Sequence, residues 1–333
     1  MVAEIDRNYF LTNPKKTYSR LLAHLLFQGR PITTSGRWMN SMLSIFLTGL
    51  SKFSFGKDIY KPIYIAGVGR SGTTILGKVL SMHRDIGWLN EPKLLWHIAF
   101  PSEDVIGNYD KVNKSRYYLD QGDVDDLTRK SFQNLYSNFL LLDNSNRVLD
   151  KYPEVIFRTK FVDAIFPDAI YILIKRNGWD NISSIQTWNN NNQNFMNGKS
   201  QNWWGINNRK WQLLNEQIIP MDPLLSDYRE EIRFFQDPID MAVVEWIVSM
   251  NIGLIEAERI PERFHIVSYE KLTHLPEVVI PSILSFCDLK NDISLTNYAL
   301  KVLKPNPRRS STKIHPILVN PFSETMKRLG YEG

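Results

Sequence analysis

The chain has 333 residues, of which 43% are hydrophobic and 23% charged, so its composition is that of a globular protein and excludes collagen-like, low-complexity and wholly disordered classes. The 40 Lys and Arg residues exceed the 35 Asp and Glu residues by a net charge of +5, which suits an anionic small molecule better than nucleic acid. The single cysteine, Cys287, excludes a disulfide within the chain. The N-terminus lacks a signal pattern, and the apolar run at 42–50 is shorter than the roughly 20 residues that span a bilayer, so we expect a cytoplasmic protein without a transmembrane segment.

Residues 1–58 predict a helical extension. Two groups of apolar side chains recur there at helical spacing, and the sequence Gly-Arg-Pro at 29–31 separates them. The groups are Leu21, Leu22, Leu25 and Leu26, and then Met42, Ile45, Phe46 and Leu50. We expect both apolar faces to pack on the main domain. A dimer contact or a contact with a membrane surface is the alternative.

Residues 59–333 predict an α/β domain, because short apolar strands alternate with helical patterns. The strands fall at 63–66, 86–89, 169–174 and 264–269, and the clearest helices at 75–82 and 241–259. A strand, loop, helix and strand in succession form a βαβ unit of a parallel sheet. The expected fold is therefore a three-layer sandwich with a central parallel sheet and a phosphate-binding loop similar to a P-loop.

The composition changes at 189–238, where Asn, Gln and Trp are enriched. This stretch is too polar for a strand pattern and too aromatic for a linker, so it predicts an inserted, partly helical lid. Its tryptophans have two interpretations: they stack on the sugar rings of an acceptor, or they anchor the lid on the core. They are Trp188 at its border, Trp203, Trp204 and Trp211.

A glycine-rich turn follows the first strand, and two of its interpretations are nucleotide loops of well-known type. Gly67, Gly69 and Gly72 match the GxGxxG fingerprint of dinucleotide-binding folds, and Glu91 lies near the position of the acidic residue that such folds need. The spacing of Gly67 and Gly72 also fits a Walker A loop. Thr73 stands where that motif requires Lys, which disfavours an ordinary nucleoside triphosphatase.

The third interpretation of this turn uses all of its polar residues. Glycines such as Gly69 and Gly72 let backbone N–H groups close on a phosphate, and the following helix adds the partial positive charge of its N-terminus. Hydroxyl groups and one fixed cation complete a site for a single terminal phosphate. These side chains are Ser71, Thr73, Thr74 and Arg70.

The sequence GVGRSGTTIL at 67–76 resembles the 5′-phosphate loop of sulfotransferases that use 3′-phosphoadenosine 5′-phosphosulfate (PAPS). It is most similar to the tyrosylprotein enzymes and to bacterial and carbohydrate enzymes with the same RSGTT loop. In that group the catalytic base is a Glu 21 residues after the loop Arg, and Glu91 has this spacing from Arg70. The resemblance implies that Glu91 is the general base, with a pKa that burial must raise, and that Arg70 neutralises charge during transfer.

Three further residues match the family pattern. Arg176 ends an apolar strand and Ser184 follows eight residues later, as in the family's 3′-phosphate site. An Arg at a strand end can bind a phosphate bidentately, and a Ser two helical turns on can lie beside it. Lys151, in the sequence Asp-Lys-Tyr-Pro, resembles the lysine that contacts the leaving phosphate in the tyrosylprotein enzymes.

The remaining assignments are less specific. Tyr269 resembles a family tyrosine near the nucleotide, and Ser311 and Lys313, with Ser310, lie in a basic stretch that resembles a loop closing over the cofactor. His97 is the reserve candidate for the base, although its apolar surroundings favour a packing role. The six histidines show no metal-ligand spacing, so we expect no metal.

The resemblance thus implies a sulfotransferase that takes PAPS as donor, releases adenosine 3′,5′-bisphosphate and acts by in-line displacement. We expect the acceptor to be a hydroxyl of a carbohydrate or glycolipid, followed in preference by a tyrosine or phenol and by a small alcohol. A dinucleotide-dependent oxidoreductase and a nucleotide-binding protein without catalysis are the alternatives.

Overall fold

The computed structural model describes residues 3–30, 36–109, 115–196, 199–305 and 311–332. In chain order the strands are β1 (Ile63–Gly67), β2 (Ile86–Asn90), β3 (Arg147–Lys151), β4 (Ile170–Lys175), β5 (Asn194–Met196), β6 (Lys199–Asn202), β7 (Gly205–Ile206) and β8 (Phe264–Ser268). The helices are α1 (Arg7–Thr12), α2 (Pro14–Leu26), α3 (Asn40–Lys52), α4 (Thr73–Leu80), α5 (Lys93–Ala99), α6 (Asp126–Asp143), α7 (Thr159–Ile165), α8 (Gly178–Asn192), α9 (Arg209–Leu213), α10 (Arg229–Ile232), α11 (Pro238–Arg259), α12 (Tyr269–His274), α13 (Pro276–Phe286), α14 (Ile293–Val302) and α15 (Pro316–Arg328).

The central sheet has the order β2-β3-β1-β4-β8, and every neighbouring pair is parallel. Successive residues of β1 point to opposite faces: Tyr64 and Ala66 enter one hydrophobic core, and Ile63 and Ile65 enter the other. Parallel strands of this kind are apolar on both sides because helices cover both faces. The predicted three-layer α/β sandwich is confirmed.

The N-terminal helices attach to the edge of this sheet through buried cations as well as apolar contacts. Lys16 on α2 donates to the carbonyl of Ile86 at 2.6 Å, and the guanidinium of Arg20 lies 4.3 Å above the ring of Trp88. Ile86 and Trp88 both belong to β2, which is an edge strand of the sheet. The extension therefore supplies partners for an edge that would otherwise be open.

The predicted packing face of α3 is wrong. Leu43 and Leu47 are the buried residues of this helix, whereas Met42, Ile45 and Phe46 are exposed. The helix is apolar on two faces, and periodicity alone does not say which of them meets the core.

The predicted lid contains strands that its polar composition concealed. β5, β6 and β7 form a small antiparallel sheet, followed by α9. Backbone hydrogen bonds hold this sheet, so its side chains need no apolar alternation. Trp204 and Trp211 are buried beneath it, which makes them the anchors of the lid.

Helix α11 crosses the core behind the sheet. Within the described ranges it is the one helix long and apolar enough to cross a membrane, and 72% of its most apolar window is buried inside the protein. Such burial is typical of a core helix. Its one charged side chain in the apolar centre, Glu245, is also buried and faces the cavity described next.

Candidate active site

A cavity of about 670 Å³ opens at the carboxyl ends of β1 and β4. The two strands are neighbours, with Gly67 paired to Ile174 in register. The chain leaves β1 toward β2 on one side of the sheet, whereas β4 continues to β8 on the other side. Ligands of open α/β sheets bind at such a topological switch point.

The loop after β1 turns sharply into α4. Gly67 and Gly72 have φ of 141° and 101°, and Arg70 has φ of 68°, so three of its residues adopt the left-handed region. Thr73 and Thr74 line the cavity at the start of α4, whose first N–H groups have no partner within the helix. The loop and the helix N-terminus therefore offer a set of donors to an anion.

Ser71 has a different position from its neighbours in the loop. Its side chain is buried, its hydroxyl donates to the carbonyl of Val68 at 2.7 Å, and it is not among the lining residues of the cavity. The expected role of Ser71 as a phosphate donor therefore does not fit, because its proton already closes the turn.

Four residues predicted for the donor site come together beside this loop. Arg70 Nε donates to Ser184 Oγ at 3.2 Å, and Arg176 Nη1 donates to the carbonyl of Arg70 at 2.9 Å. The Arg176 guanidinium carbon lies 4.5 Å above the ring of Tyr269, a distance suited to a cation–π contact. Strand β4, helix α8 and the start of α12 thus converge on the loop after β1.

These two guanidinium groups lack counter-ions in the described part of the chain. Neither Arg70 nor Arg176 forms an ion pair there, and the buried Nε of Arg176 has no hydrogen-bond partner. Partial burial and the nearby charge of Arg176 lower the pKa of Arg70. An anion bound between the two cations would remove this repulsion and satisfy the free N–H.

The opposite side of the cavity holds Glu91, which follows β2 with a left-handed φ of 49°. Its N–H donates to the carbonyl of Lys151 at 2.7 Å, and its carboxylate accepts from Lys151 Nζ. Lys93 Nζ lies 3.9 Å from the other carboxylate oxygen. Lys151 is itself buried and is not a lining residue of the cavity. Its ammonium contacts Glu91, which is one.

The expected pKa of Glu91 is wrong in direction. Burial by itself would raise the pKa, but the ammonium groups of Lys151 and Lys93 lower it to about 2. The side chain is ionised in the free protein, because two cations outweigh the loss of water around a half-exposed carboxylate.

Two further buried ion pairs line the same cavity, and the sequence interpretation missed both. Lys93 lies 3.7 Å from Glu154, and Lys210 lies 2.5 Å from Glu245. Burial would lower the pKa of Lys210, but Glu245 and Glu154 raise it. The signal for this network was Glu245, a lone charge in the apolar run of α11; its partners come from distant segments that no local pattern connects.

Trp188 and Trp203 form an aromatic wall above these pairs. Their ring centroids are 5.1 Å apart and nearly perpendicular, and both residues line the cavity. Trp203 Nε1 donates to Glu245 at 2.8 Å, and Lys210 Nζ lies 5.0 Å from the centre of its ring. The buried charges thus hold the Trp203 ring, and Trp188 at the border of the lid packs against it.

Comparison with known proteins places this site in a family. A family model described as "Sulfotransferase family" matches residues 62–223, which include the loop after β1, Glu91, Lys151, Arg176 and Ser184. The match covers just under half of the chain and contains most of the residues described above.

Two curated proteins are similar to the chain in sequence. The chain is 26% identical over 143 residues to nodulation protein NoeE of Sinorhizobium fredii, covering 38% of this chain and 31% of NoeE. It is 22% identical over 263 residues to protein-tyrosine sulfotransferase A of Caenorhabditis elegans, covering 76% of this chain and 57% of that protein. The chain thus spans 31% and 57% of the length of these two relatives.

Solved sulfotransferase structures align over most of the chain. The sulfotransferase domain from the curacin biosynthetic pathway covers 83% of this chain and 99% of its own, with 17% identity and a TM-score of 0.49. The alignment with sulfotransferase STF9 from Mycobacterium avium covers 99% of this chain and 93% of STF9, with 13% identity and a TM-score of 0.49.

The topology disfavours the alternative of a dinucleotide-binding fold for this chain. A dinucleotide fold carries its ribose-binding acidic residue on the strand next to β1, but here β3 lies between β1 and β2. Glu91 is also bound to Lys151 and Lys93. The glycine pattern alone cannot show this, because strand order depends on the crossover connections.

Besides Ser71 and Lys151, other predicted residues are absent from the lining of the cavity. His97 stacks on Tyr109 and its Nδ1 hydrogen-bonds with the carbonyl of Pro101 at 3.0 Å, so it is not at the site. Ser311 and Lys313 are exposed and are not lining residues, and Ser310 lies outside the described residues. Across the described ranges, no group of His, Cys, Asp and Glu is arranged to hold a metal.

Proposed function

We propose that this sulfotransferase moves a sulfuryl group from PAPS to an acceptor hydroxyl, with Glu91 as general base. One observation carries the proposal: a single cavity has two guanidinium groups without counter-ions at one side and an ionised carboxylate at the other. The first side suits an anionic nucleotide, and the second suits proton removal from the attacking group.

The donor side fits a nucleotide with two separate phosphates. Arg176, Ser184 and Tyr269 would hold the 3′-phosphate, where the buried Nε of Arg176 still needs a partner. The backbone of the glycine turn, Thr73 and Thr74 would hold the 5′-phosphate at the N-terminus of α4. The donor supplies the sulfuryl group, whose bond to the bridging oxygen breaks as the bond to the acceptor oxygen forms.

Lys151 links the two sides of the cavity. In the free protein its ammonium pairs with Glu91 and, together with Lys93, lowers the pKa of that carboxylate to about 2, which makes Glu91 a weak base. An anionic leaving phosphate competes for the same ammonium. When Lys151 turns to it, the largest charge that lowers the pKa of Glu91 is removed, and burial then raises this pKa. Glu91 would accept the proton from the hydroxyl most readily once the donor is in place.

The acceptor side favours a neutral, hydroxylated ring. Lys93, Lys210, Glu154 and Glu245 are all paired with one another, so this side offers no unbalanced charge to a charged acceptor. The Trp188 and Trp203 rings suit stacking on a sugar, and Gln201 and Asn202 supply polar groups to the same wall. A carbohydrate or glycolipid hydroxyl is therefore the proposed acceptor, and the name of the Caenorhabditis elegans relative supports tyrosine as the second candidate.

Calorimetric titration with adenosine 3′,5′-bisphosphate, beside NAD and ATP, tests the donor. We expect selective binding of the bisphosphate and, in Arg176→Ala, a loss of affinity of about 10–100-fold, because one charged hydrogen-bond donor is removed. Arg233→Ala is the matched control, since Arg233 is an exposed arginine paired with Glu230. Binding of NAD alone, or equal losses in both variants, would contradict the proposal.

Turnover with sulfur-labelled PAPS tests the acceptor and the base. A panel of neutral glycans, glycolipids and tyrosine peptides should give label transfer to the glycans first. Glu91→Gln should lower kcat by about 10²–10⁴-fold with bisphosphate affinity unchanged. Bisphosphate binding without transfer to any acceptor by the wild type would favour a nucleotide-binding protein instead.

A further inference from the structure

Helix α3 carries a large apolar surface that remains exposed. We define the α3 surface as Trp38, Met42, Ile45, Phe46, Phe53 and Phe55, whose side chains are between 37% and 76% exposed. Single exposed apolar residues are normal, but a contiguous group of large ones usually marks an interaction site.

Three of these residues share one face of α3, whereas Trp38 precedes the helix and Phe53 and Phe55 follow it. Met42, Ile45, Phe46 and Gly49 have the spacing i, i+3, i+4 and i+7, and all of them are exposed. Leu43 and Leu47 lie on the neighbouring side and pack into the core, and at the border the Phe46 ring contacts Phe27, with ring centroids 6.3 Å apart. One apolar face of the helix is thus buried in the protein, and a second apolar face remains exposed to solvent.

The exposed charged residues at the two ends of α3 are positive, and the first acidic residue after the helix is Asp58. Residues 14–57 contain seven Lys and Arg residues and no Asp or Glu. Arg37 stands at the N-terminal end of α3 and Lys52 at its C-terminal end, both exposed, and Lys57 follows. A partner for the α3 surface must therefore combine an apolar interior with negative charge at its boundary.

We propose that the α3 surface binds an anionic membrane and lies in the plane of its interface. An apolar helix face flanked by cations, with Trp38 at one end, has the chemistry of interfacial helices. The 13 residues of α3 are too few to cross a bilayer, so the contact is peripheral. A second copy of the chain fits less well, because a twofold contact would bring like-charged Arg37 and Lys52 groups together.

This contact would hold the active site near the membrane. The buried face of α3 packs on α5, which begins at Lys93, a lining residue of the cavity. Membrane binding by α3 requires neither a nucleotide nor turnover, so it stands apart from the proposed function.

Sedimentation of the full chain with lipid vesicles tests the inference. The vesicles are phosphatidylcholine alone or phosphatidylcholine mixed with phosphatidylglycerol. We expect binding to the mixed vesicles that weakens in high salt and on phosphatidylcholine alone. Met42→Ser/Ile45→Ser and Arg37→Glu/Lys52→Glu should each bind at least about tenfold more weakly.

The matched control is Ile293→Ser on α14, since Ile293 is 79% exposed and Ile45 is 76% exposed. It should bind like the wild type, and thermal melting should show that all variants are folded. Absence of wild-type binding, or binding by the two α3 variants that is as strong as that of the wild type, would overturn the inference. So would light scattering that shows a dimer dissociated by Met42→Ser/Ile45→Ser, which would assign the surface to self-association.

Discussion

The indole of Trp203 covers the α-carbon of Gly69, so that a Cβ added to Gly69 would lie 2.6 Å from Trp203 Cζ2. Trp203 belongs to the lid, and Gly69 belongs to the turn that is proposed to bind phosphate. The indole cannot move freely, because its Nε1 donates to the buried Glu245. The two halves of the cavity are therefore in direct contact, and a change in one must displace the other.

Replacement of Gly69 by Ala should displace this indole and weaken both halves together. We expect bisphosphate affinity and acceptor KM each to worsen by about tenfold, because the Cβ forces the ring from its site. In a Trp203→Ala background the same substitution meets no ring, so its effect on nucleotide binding should largely vanish. Calorimetry on the four proteins of this cycle measures the coupling, and additive effects would show that the contact is unimportant.

The pH dependence of the reaction should reveal the ion pair between Lys151 and Glu91. The pKa of Glu91 is about 2 in the free protein, so this carboxylate stays ionised from about pH 5 to pH 8 and gives kcat/KM for the donor no acidic limb there. In Lys151→Met the main opposing charge is gone, burial raises the pKa, and an acidic limb should enter this range. If the wild-type pH profile already shows an acidic limb and Lys151→Met does not move it, that limb belongs to a group other than Glu91.

The buried pair of Lys210 and Glu245 should be costly to break from one side. Lys210→Met or Glu245→Gln leaves a single buried charge, for which we expect a loss of about 3–5 kcal/mol in the free energy of unfolding. The double variant should lose less than the sum, since neither charge remains. Urea denaturation measures this, with Glu230→Gln on the exposed Arg233 pair as a control that changes stability by less than about 1 kcal/mol.

Asp150 predicts a second pH effect, on stability. It is fully buried, accepts hydrogen bonds from Tyr136 at 2.5 Å and Trp96 at 2.8 Å, and burial raises its pKa to about 7. Between about pH 4 and pH 7 the folded protein holds this proton and the unfolded chain releases it, so stability falls as pH rises, by on the order of 3 kcal/mol.

Asp150→Asn should remove this slope, because the amide does not titrate. Urea denaturation of both proteins at several pH values gives the difference in unfolding free energy, which should shift in favour of the variant as pH rises. A difference that is constant with pH would show that Asp150 is ionised in the folded protein throughout the range.

The sequence alone was sufficient to predict the sheet, and it indicated which residues of the proposed donor side would lie at one edge of it. Runs such as 63–66 and 169–174 are apolar throughout, as strands covered on both faces must be, and Arg70 and Arg176 follow two of these strands. Because parallel strands end at one edge of a sheet, a local motif at each end predicts a shared site.

The acceptor side and the packing of α3 could not be predicted in the same way. Lys93, Lys210 and Glu245 meet only through tertiary packing, and the lowered pKa of Glu91 depends on where their charges lie. The lid strands are held by backbone hydrogen bonds, which leave no apolar alternation to detect. Both faces of α3 are apolar, so which face is buried depends on how the helix packs against α5 and α6.

The register of β1 against β4 has a consequence for ligand size. Gly67 pairs with Ile174, and the two proposed phosphate-binding arginines follow these residues by three and two positions. The register of these two strands, which backbone hydrogen bonds hold in the middle of the sheet, therefore limits how far apart the two arginines can lie. Substitutions on the cavity wall would change which proposed acceptor fits, whereas the spacing of the two cations depends on the register of the sheet.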